Sequence, residues 1–142
     1  MTPTRGSVRR HVRIHRLAAD VWERIGDPAR IEEWFPGIES STVEGTSRVI
    51  TTGAGLPMPE EILTNDPIQR RFQYRITAPM FREHLSTLDV IDLDDGTCLA
   101  VYSADADPST MAIVIAGAAG AALEHLRDDM EAESAELTEG AS

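Results

Sequence analysis

At 142 residues, 42% hydrophobic and 26% charged, the chain is about one domain's worth and too apolar for a disordered tail. Its net charge of −11 sets it against phosphate backbones and anionic lipid surfaces, so nucleic acid is excluded as an expected partner. All 13 basic residues are arginine, which removes Schiff-base lysines, phosphate-loop lysines and a conventional kinase site.

Residues 8–15 alternate, with Val8, Val12 and Ile14 on one face and Arg9, His11, Arg13 and His15 on the other, which predicts a half-buried strand. Two short helices follow over 20–25 and 29–35, the second entered through a capping Asp27 and Pro28 and stopped at Pro36-Gly37. Strands are expected over 38–43 and 48–52, around Glu44-Gly45, and then a mobile glycine- and proline-rich loop over 53–59. Segments 60–64, 71–77, 83–91 and 97–106 each alternate between turn signals, the pattern of consecutive antiparallel hairpins. Ala112, Ala116, Ala119, Leu123, Leu126 and Met130 then recur in steps of three and four, predicting one amphipathic helix from 110 to about 137. The acidic tail 131–142 is expected to fray.

The uncharged stretch 108–123 is shorter than the roughly 18–20 apolar residues a membrane-spanning helix requires, so a buried helix and no membrane insertion are expected. Residues 1–16 lack the apolar core of a signal peptide, and the single Cys98 cannot form an intrachain disulfide. Both readings favour the cytoplasm. No Cys/His cluster has zinc spacing, and His11 and His15 on a strand would stand roughly 13 Å apart, so neither a metal nor another cofactor is expected. Summed in order, the elements predict a single α+β domain over 1–142, with an ordered core of about 7–135: a seven-stranded curved antiparallel sheet wrapped around the long C-terminal helix, with two short helices after strand 1.

The long helix carries only alanine and glycine from 116 to 122, where a packed core would use leucine or isoleucine. Either the backbone approaches the sheet closely, or a cavity remains between them, bordered by Ala116 and Gly120. The sheet face opposite is rich in polar groups. Period two places His84 and Ser86 with Leu88 and Val90, Tyr74 with Phe72 and Ile76, and Tyr102 with Cys98, Ala100 and Ala104. Glu60 and Glu61 point to opposite faces, and alternation leaves open which one is inside. Buried polar groups without partners cost about 1–3 kcal/mol each, so this convergence implies internal pairing, water or a ligand.

The segments Ala18-Ala-Asp-Val-Trp-Glu-Arg-Ile-Gly-Asp, Trp34-Phe-Pro-Gly-Ile-Glu-Ser-Ser, Glu61-Ile-Leu-Thr-Asn-Asp, Tyr74-Arg-Ile, His84-Leu-Ser-Thr-Leu-Asp-Val and Tyr102-Ser-Ala resemble the START-like helix-grip (SRPBCC) superfamily. The nearest resemblance is to its bacterial polyketide cyclase/dehydrase-like branch, over residues 7 to about 135. It implies the helix-grip fold and makes Glu61 a pocket glutamate, Tyr74, His84 and Ser86 pocket-lining residues, and Gly55-Leu56-Pro57 a gate loop like that of the abscisic-acid receptors. The anchoring lysine of those receptors has no counterpart here, so hormone recognition is not implied.

Three functions are compatible with these residues. One is a carrier for a small, largely hydrophobic polyketide-, aromatic- or lipid-like molecule, held by Glu61, Phe72, Tyr74, His84, Ser86 and Tyr102 beneath the gate loop. The second is a metal-free cyclase or dehydrase in which Glu61 or His84 removes a proton alpha to a ketone while a tyrosine hydroxyl supports the enolate. The third is a partner-binding role for the first strand's arginines or the acidic tail, with a homodimer left open. Against the first two, His84 could be a satisfied interior histidine and Glu61 could be spent on an arginine.

Overall fold

Strand β1 (Gly6–Ile14) lies antiparallel along β7 (Cys98–Asp107), so the first and last strands of the chain are neighbours. Between them in sequence come β2 (Ile38–Glu44), β3 (Ser47–Thr52), β4 (Pro57–Asp66), β5 (Arg71–Ile76) and β6 (Glu83–Asp92). Each pairs with the next, giving one seven-stranded sheet in the order β1-β7-β6-β5-β4-β3-β2. The register shifts between Ile38 and Ser40 in β2 and between Ile62 and Thr64 in β4. Such irregularities bend strands and sharpen sheet twist. This computed structural model describes residues 4–140.

Three helical pieces cover one face. Helix α1 (Ala18–Ile25) buries Ala18, Val21 and Ile25, the stripe expected of a short amphipathic helix. A 3-10 turn (Pro28–Arg30) follows, its start fixed by the Asp27 carboxylate, which accepts the Ala29 N–H at 3.0 Å. Helix α2 (Ile31–Trp34) buries Ile31 and Trp34, and the chain turns away at Gly37, whose φ of 89° is a conformation open to glycine.

Helix α3 (Ser109–Gly140) packs on β1, β7 and α2. Its buried stripe holds Ala112, Ala116, Ala119, Leu123, Leu126 and Met130, as the three-and-four spacing predicts, together with Ala122. Facing it, β7 turns Cys98, Ala100, Tyr102, Ala104 and Ala106 inward, all essentially inaccessible. Alanine therefore meets alanine, and the helix backbone comes close to the sheet. Gly6 extends this seat: a Cβ there would lie 2.9 Å from the Ser109 carbonyl oxygen and 3.1 Å from the Ala112 Cβ. Close packing, and not a cavity, accounts for Ala116. Gly120 faces the Arg10 side chain of β1, at 3.5 Å from a built Cβ. By length and composition α3 could cross a membrane, but its apolar stripe is turned onto the sheet as the core helix of a soluble-type fold.

Two further expectations are corrected. The loop predicted over 53–59 is shorter, because Pro57, Met58 and Pro59 pair with Thr51, Ile50 and Val49 as the start of β4. The tail does not fray at 131: α3 continues to Gly140, Glu131 accepts the His15 N–H at 3.1 Å, and both Glu133 carboxylate oxygens accept from Arg24 at 2.9 Å. Residues 141–142 of that tail lie outside the described residues.

The seat admits no added volume. Ala116→Leu should destabilise the fold by about 1–3 kcal/mol in urea denaturation, whereas Val114→Leu, at an exposed position, should change it by less than about 0.5 kcal/mol. Equal effects would refute the close-packing account.

Candidate functional site

Because α3 leans on β1 and β7, the half of the sheet built from β3, β4 and β5 is left without it. An open cleft of about 310 Å³ occupies that space. One wall is Val114, Ile115 and Ala118 of α3, and the other is Ile31, Phe35 and Ile38 from α2 and its exit. The floor is Ile50, Met58, Glu60, Tyr74 and Ile76. Apart from Thr52 at the edge, Glu60 and Tyr74 supply the polar side chains of an otherwise apolar lining.

Glu60 enters the interior because Arg48 stands directly across from it on β3. Both side chains are 2% exposed. Arg48 Nε donates to Glu60 Oε1 at 2.7 Å, its Nη2 lies 2.7 Å from the same oxygen, and Nη1 donates to the Pro28 carbonyl at 3.2 Å. The guanidinium also sits over the Tyr74 and Phe72 rings, 5.0 and 5.4 Å from their centroids. Burial raises the Glu60 carboxyl above the ordinary glutamate range, and the Arg48 charge and hydrogen bond oppose that rise. Nε1 of Trp34 is a buried donor without a hydrogen-bonding acceptor among the described residues.

Behind the floor a second polar chain runs across β5, β6 and β7. The Ile76 N–H donates to His84 Nδ1 at 2.7 Å, and His84 Nε2 lies 2.8 Å from Ser86 Oγ. Ser86 pairs with Tyr74 across the strands, and the Tyr74 hydroxyl is hydrogen-bonded to that of Tyr102. Burial is the main cause pushing Tyr74 up to about 12 and Tyr102 well above the ordinary tyrosine value. It also holds His84 down at about 4, against a smaller upward pull from Asp105.

The structure thus brings together Phe72, Tyr74, His84, Ser86 and Tyr102 as one buried group, but of these only Tyr74 lines the cleft. Glu61 is on the opposite face: its side chain is 41% exposed and its Oε2 accepts from Arg75 at 2.6 and 3.0 Å. The pocket glutamate is Glu60. His84 has both ring nitrogens engaged and serves the interior, not the cleft surface. Gly55, Leu56 and Pro57 do not line the cleft; Thr52 and Met58 beside them do, and Leu56 is 63% exposed in a turn closed by its carbonyl accepting the Thr52 N–H. Sequence reasoning passes over Arg48, although its spacing of two from Ile50 marks it as inward-facing. Cys98 is buried and its thiol is pushed up to about 11, chiefly by burial, which keeps it unreactive. Among the described residues no group of three or more His, Cys, Asp or Glu could hold a metal ion.

His84 makes stability depend on pH with a definite sign. The unfolded chain takes up its proton near the ordinary value of 6.5, whereas the folded chain resists until about 4. Unfolding therefore binds a proton in this window, and stability falls with decreasing pH by up to about 1.4 kcal/mol per unit. Urea denaturation between pH 7 and 4 should show that decline, and His84→Gln should flatten it by up to one proton's worth. An unchanged slope would assign the decline to other groups.

The XoxI protein of Bacillus cereus shares the fold at a TM-score of 0.82 and 23% identity, with 87% of this chain covering 94% of that one. Norcoclaurine synthase of Thalictrum flavum, in complex with dopamine and hydroxybenzaldehyde, aligns at a TM-score of 0.70 and 14% identity over 89% of this chain and 86% of that one. The di-domain ARO/CYC protein BexL, from the BE-7585A biosynthetic pathway, aligns at 0.75 and 15% identity over 88% of this chain, which spans 46% of that longer one. No match was found among curated proteins. Residues 5–131 match the family described as polyketide cyclase / dehydrase and lipid transport, and the sheet, its helices and this match together make the chain a member of that family.

Proposed function

We propose that the cleft binds a small, largely hydrophobic molecule of polyketide, aromatic or lipid type. The observation that carries this reading is the lining itself, an apolar space of about 310 Å³ with Glu60 and Tyr74 set together in its floor. Apolar walls supply affinity through area removed from water, and a few fixed polar groups orient the guest. The family description and the two small molecules held by norcoclaurine synthase on the same fold support it.

A second reading is favoured by Glu60. A carboxylate whose proton affinity is raised by burial, gripped by Arg48 and bordering the cleft, is suited to take a proton alpha to a ketone and return it elsewhere on the same guest. That chemistry would make the protein a cyclase or dehydrase, with the acid–base role on Glu60.

A thermal-shift panel of flavonoids, fatty acids and polyketides tests the first reading, since a ligand at 100 times its dissociation constant adds about 2.7 kcal/mol. We expect at least one class to stabilise the protein, and Ala118→Trp, which fills the cleft from an exposed helix position, to abolish the shift without lowering the melting temperature of the free protein. A panel without effect, or a shift that survives Ala118→Trp, would remove the cleft as the binding site. For the enzymatic reading, Glu60→Gln should abolish turnover of a ligand so identified while leaving its affinity within about tenfold; retained turnover would retire that chemistry.

A further inference from the structure

The face of the sheet turned away from α3 carries a second hollow. Its volume is about 480 Å³, and eight residues from β1, β5, β6 and β7 line it. The strand register builds it in rows. His11, Val101, Asp89 and Arg71 are successive cross-strand partners. Arg9 stands in the next row on one side, and Leu99 and Ile91 face each other in the next row on the other. The centre is apolar although it looks at solvent: Leu99 and Val101 are half-buried and Ile91 is 46% exposed. Its two ends differ. On β5 and β6 the Asp89 carboxylate is spent on Arg71, whose Nε and Nη2 donate to its two oxygens at 2.8 and 3.1 Å. On the edge strand β1, Arg9 and His11 are exposed, and their side chains make no hydrogen bond or ion pair among the described residues. By contrast, Arg13, Arg71 and Arg75 of the same face are paired with Asp95, Asp89 and Glu61.

We propose that this hollow is a second binding site, for a small amphipathic carboxylate whose apolar body lies on Val101, Leu99 and Ile91 and whose anionic end is taken by Arg9 and His11. Neighbouring strands stand about 4.8 Å apart, so the row from His11 to Asp89 is about 10 Å long, room for a bicyclic aromatic acid or a short acyl chain. Arg9 and His11 lie about 7 Å apart along one strand. The flexible Arg9 side chain spans that gap, so its guanidinium fork and a ring N–H of His11 can hold one carboxylate between them. Charge sets the class of guest: on a chain of net charge −11, an unspent guanidinium at the rim of an apolar floor complements an anion and rejects a cation. Size sets its scale. A stable protein interface takes roughly 20–30 residues a side, whereas eight line this hollow, which suits a small molecule. The site is independent of the cleft, which opens on the opposite face of the sheet.

Titration of the isotope-labelled full chain with 1-naphthoate, 1-naphthalenemethanol and acetate, followed by amide chemical shifts, tests the proposal. Naphthoate should shift the amides of Arg9, His11, Ile91 and Val101 saturably and bind about tenfold more tightly than the alcohol, the worth of one hydrogen bond to a charged group. Acetate, which has no body to lay on the apolar floor, should fail to saturate. Arg9→Gln, at an exposed position with no partner to lose, should bring naphthoate to the affinity of the alcohol and leave the alcohol unchanged. Ala118→Trp, which blocks the cleft, should leave naphthoate binding at this face intact. The proposal is overturned if those amides show no saturable shift, if acid and alcohol bind equally, if acetate matches naphthoate, or if binding survives Arg9→Gln undiminished. Shifts that vanish in Ala118→Trp would overturn it too, by moving the acid into the cleft. The wild-type comparison of the three probes needs no variant to fold, and its failure at this face leaves the reading of the cleft standing.

Discussion

The seat of α3 on β7 sets the rest of the molecule. Helices pack at a distance fixed by the side chains between them, and here those are alanines on both sides, with Gly6 completing the surface where the helix begins. The helix is thereby drawn to one side of the sheet. Farther along, where α3 turns Leu123, Leu126 and Met130 inward, the larger Val21, Ile25, Trp34 and Phe72 belong to the same core and fill the greater depth. A curved sheet covered so unevenly is left with a gap over β3, β4 and β5, and α2 closes only part of it with Ile31 and Phe35.

Beneath that gap the interior is unusually polar. Arg48, Glu60, His84, Ser86, Tyr74 and Tyr102 are all buried: Arg48 and Glu60 bond each other across β3 and β4, Tyr74 of β5 bonds Tyr102 of β7 over the intervening β6, and His84 bonds Ser86 on its own strand and the Ile76 N–H of β5. Buried ions seldom add net stability over apolar residues of the same size, but removing one member leaves the other uncompensated, so such a pair specifies register more than it strengthens the fold. Here Arg48 and Glu60 lock β3 to β4 in the pairing that keeps Glu60 inside.

Most of this is legible in the sequence where one residue type dominates one face. Alternation places His84, Ser86, Tyr74 and Tyr102 indoors because each shares its face with unambiguous apolar neighbours, and every α3 residue that the three-and-four spacing picks is buried, with Ala122 the buried neighbour it passes over. Alternation cannot decide β4, where Glu60-Glu61-Ile62-Leu63 offers one acid and one aliphatic residue to each face. The family resemblance favours Glu61, whereas the arginines decide the matter: Arg48 is buried and draws in Glu60, and exposed Arg75 holds Glu61 outside. Of the run of alanine and glycine, Ala118 borders the cleft, while Ala116 is sealed against the sheet. Small side chains on a helix make room for the sheet itself, and the opening lies one face around, beside the larger Val114 and Ile115.

Helix α3 therefore carries two unrelated duties on two flanks. The residues that anchor it are sealed against β1 and β7, whereas Val114 and Ala118 remain exposed and contribute little to the core. Substitutions along that outer flank can reshape the recess while the anchor stays untouched, so such a scaffold can exchange one chemical clientele for another through ordinary point mutation without first surrendering its ability to fold.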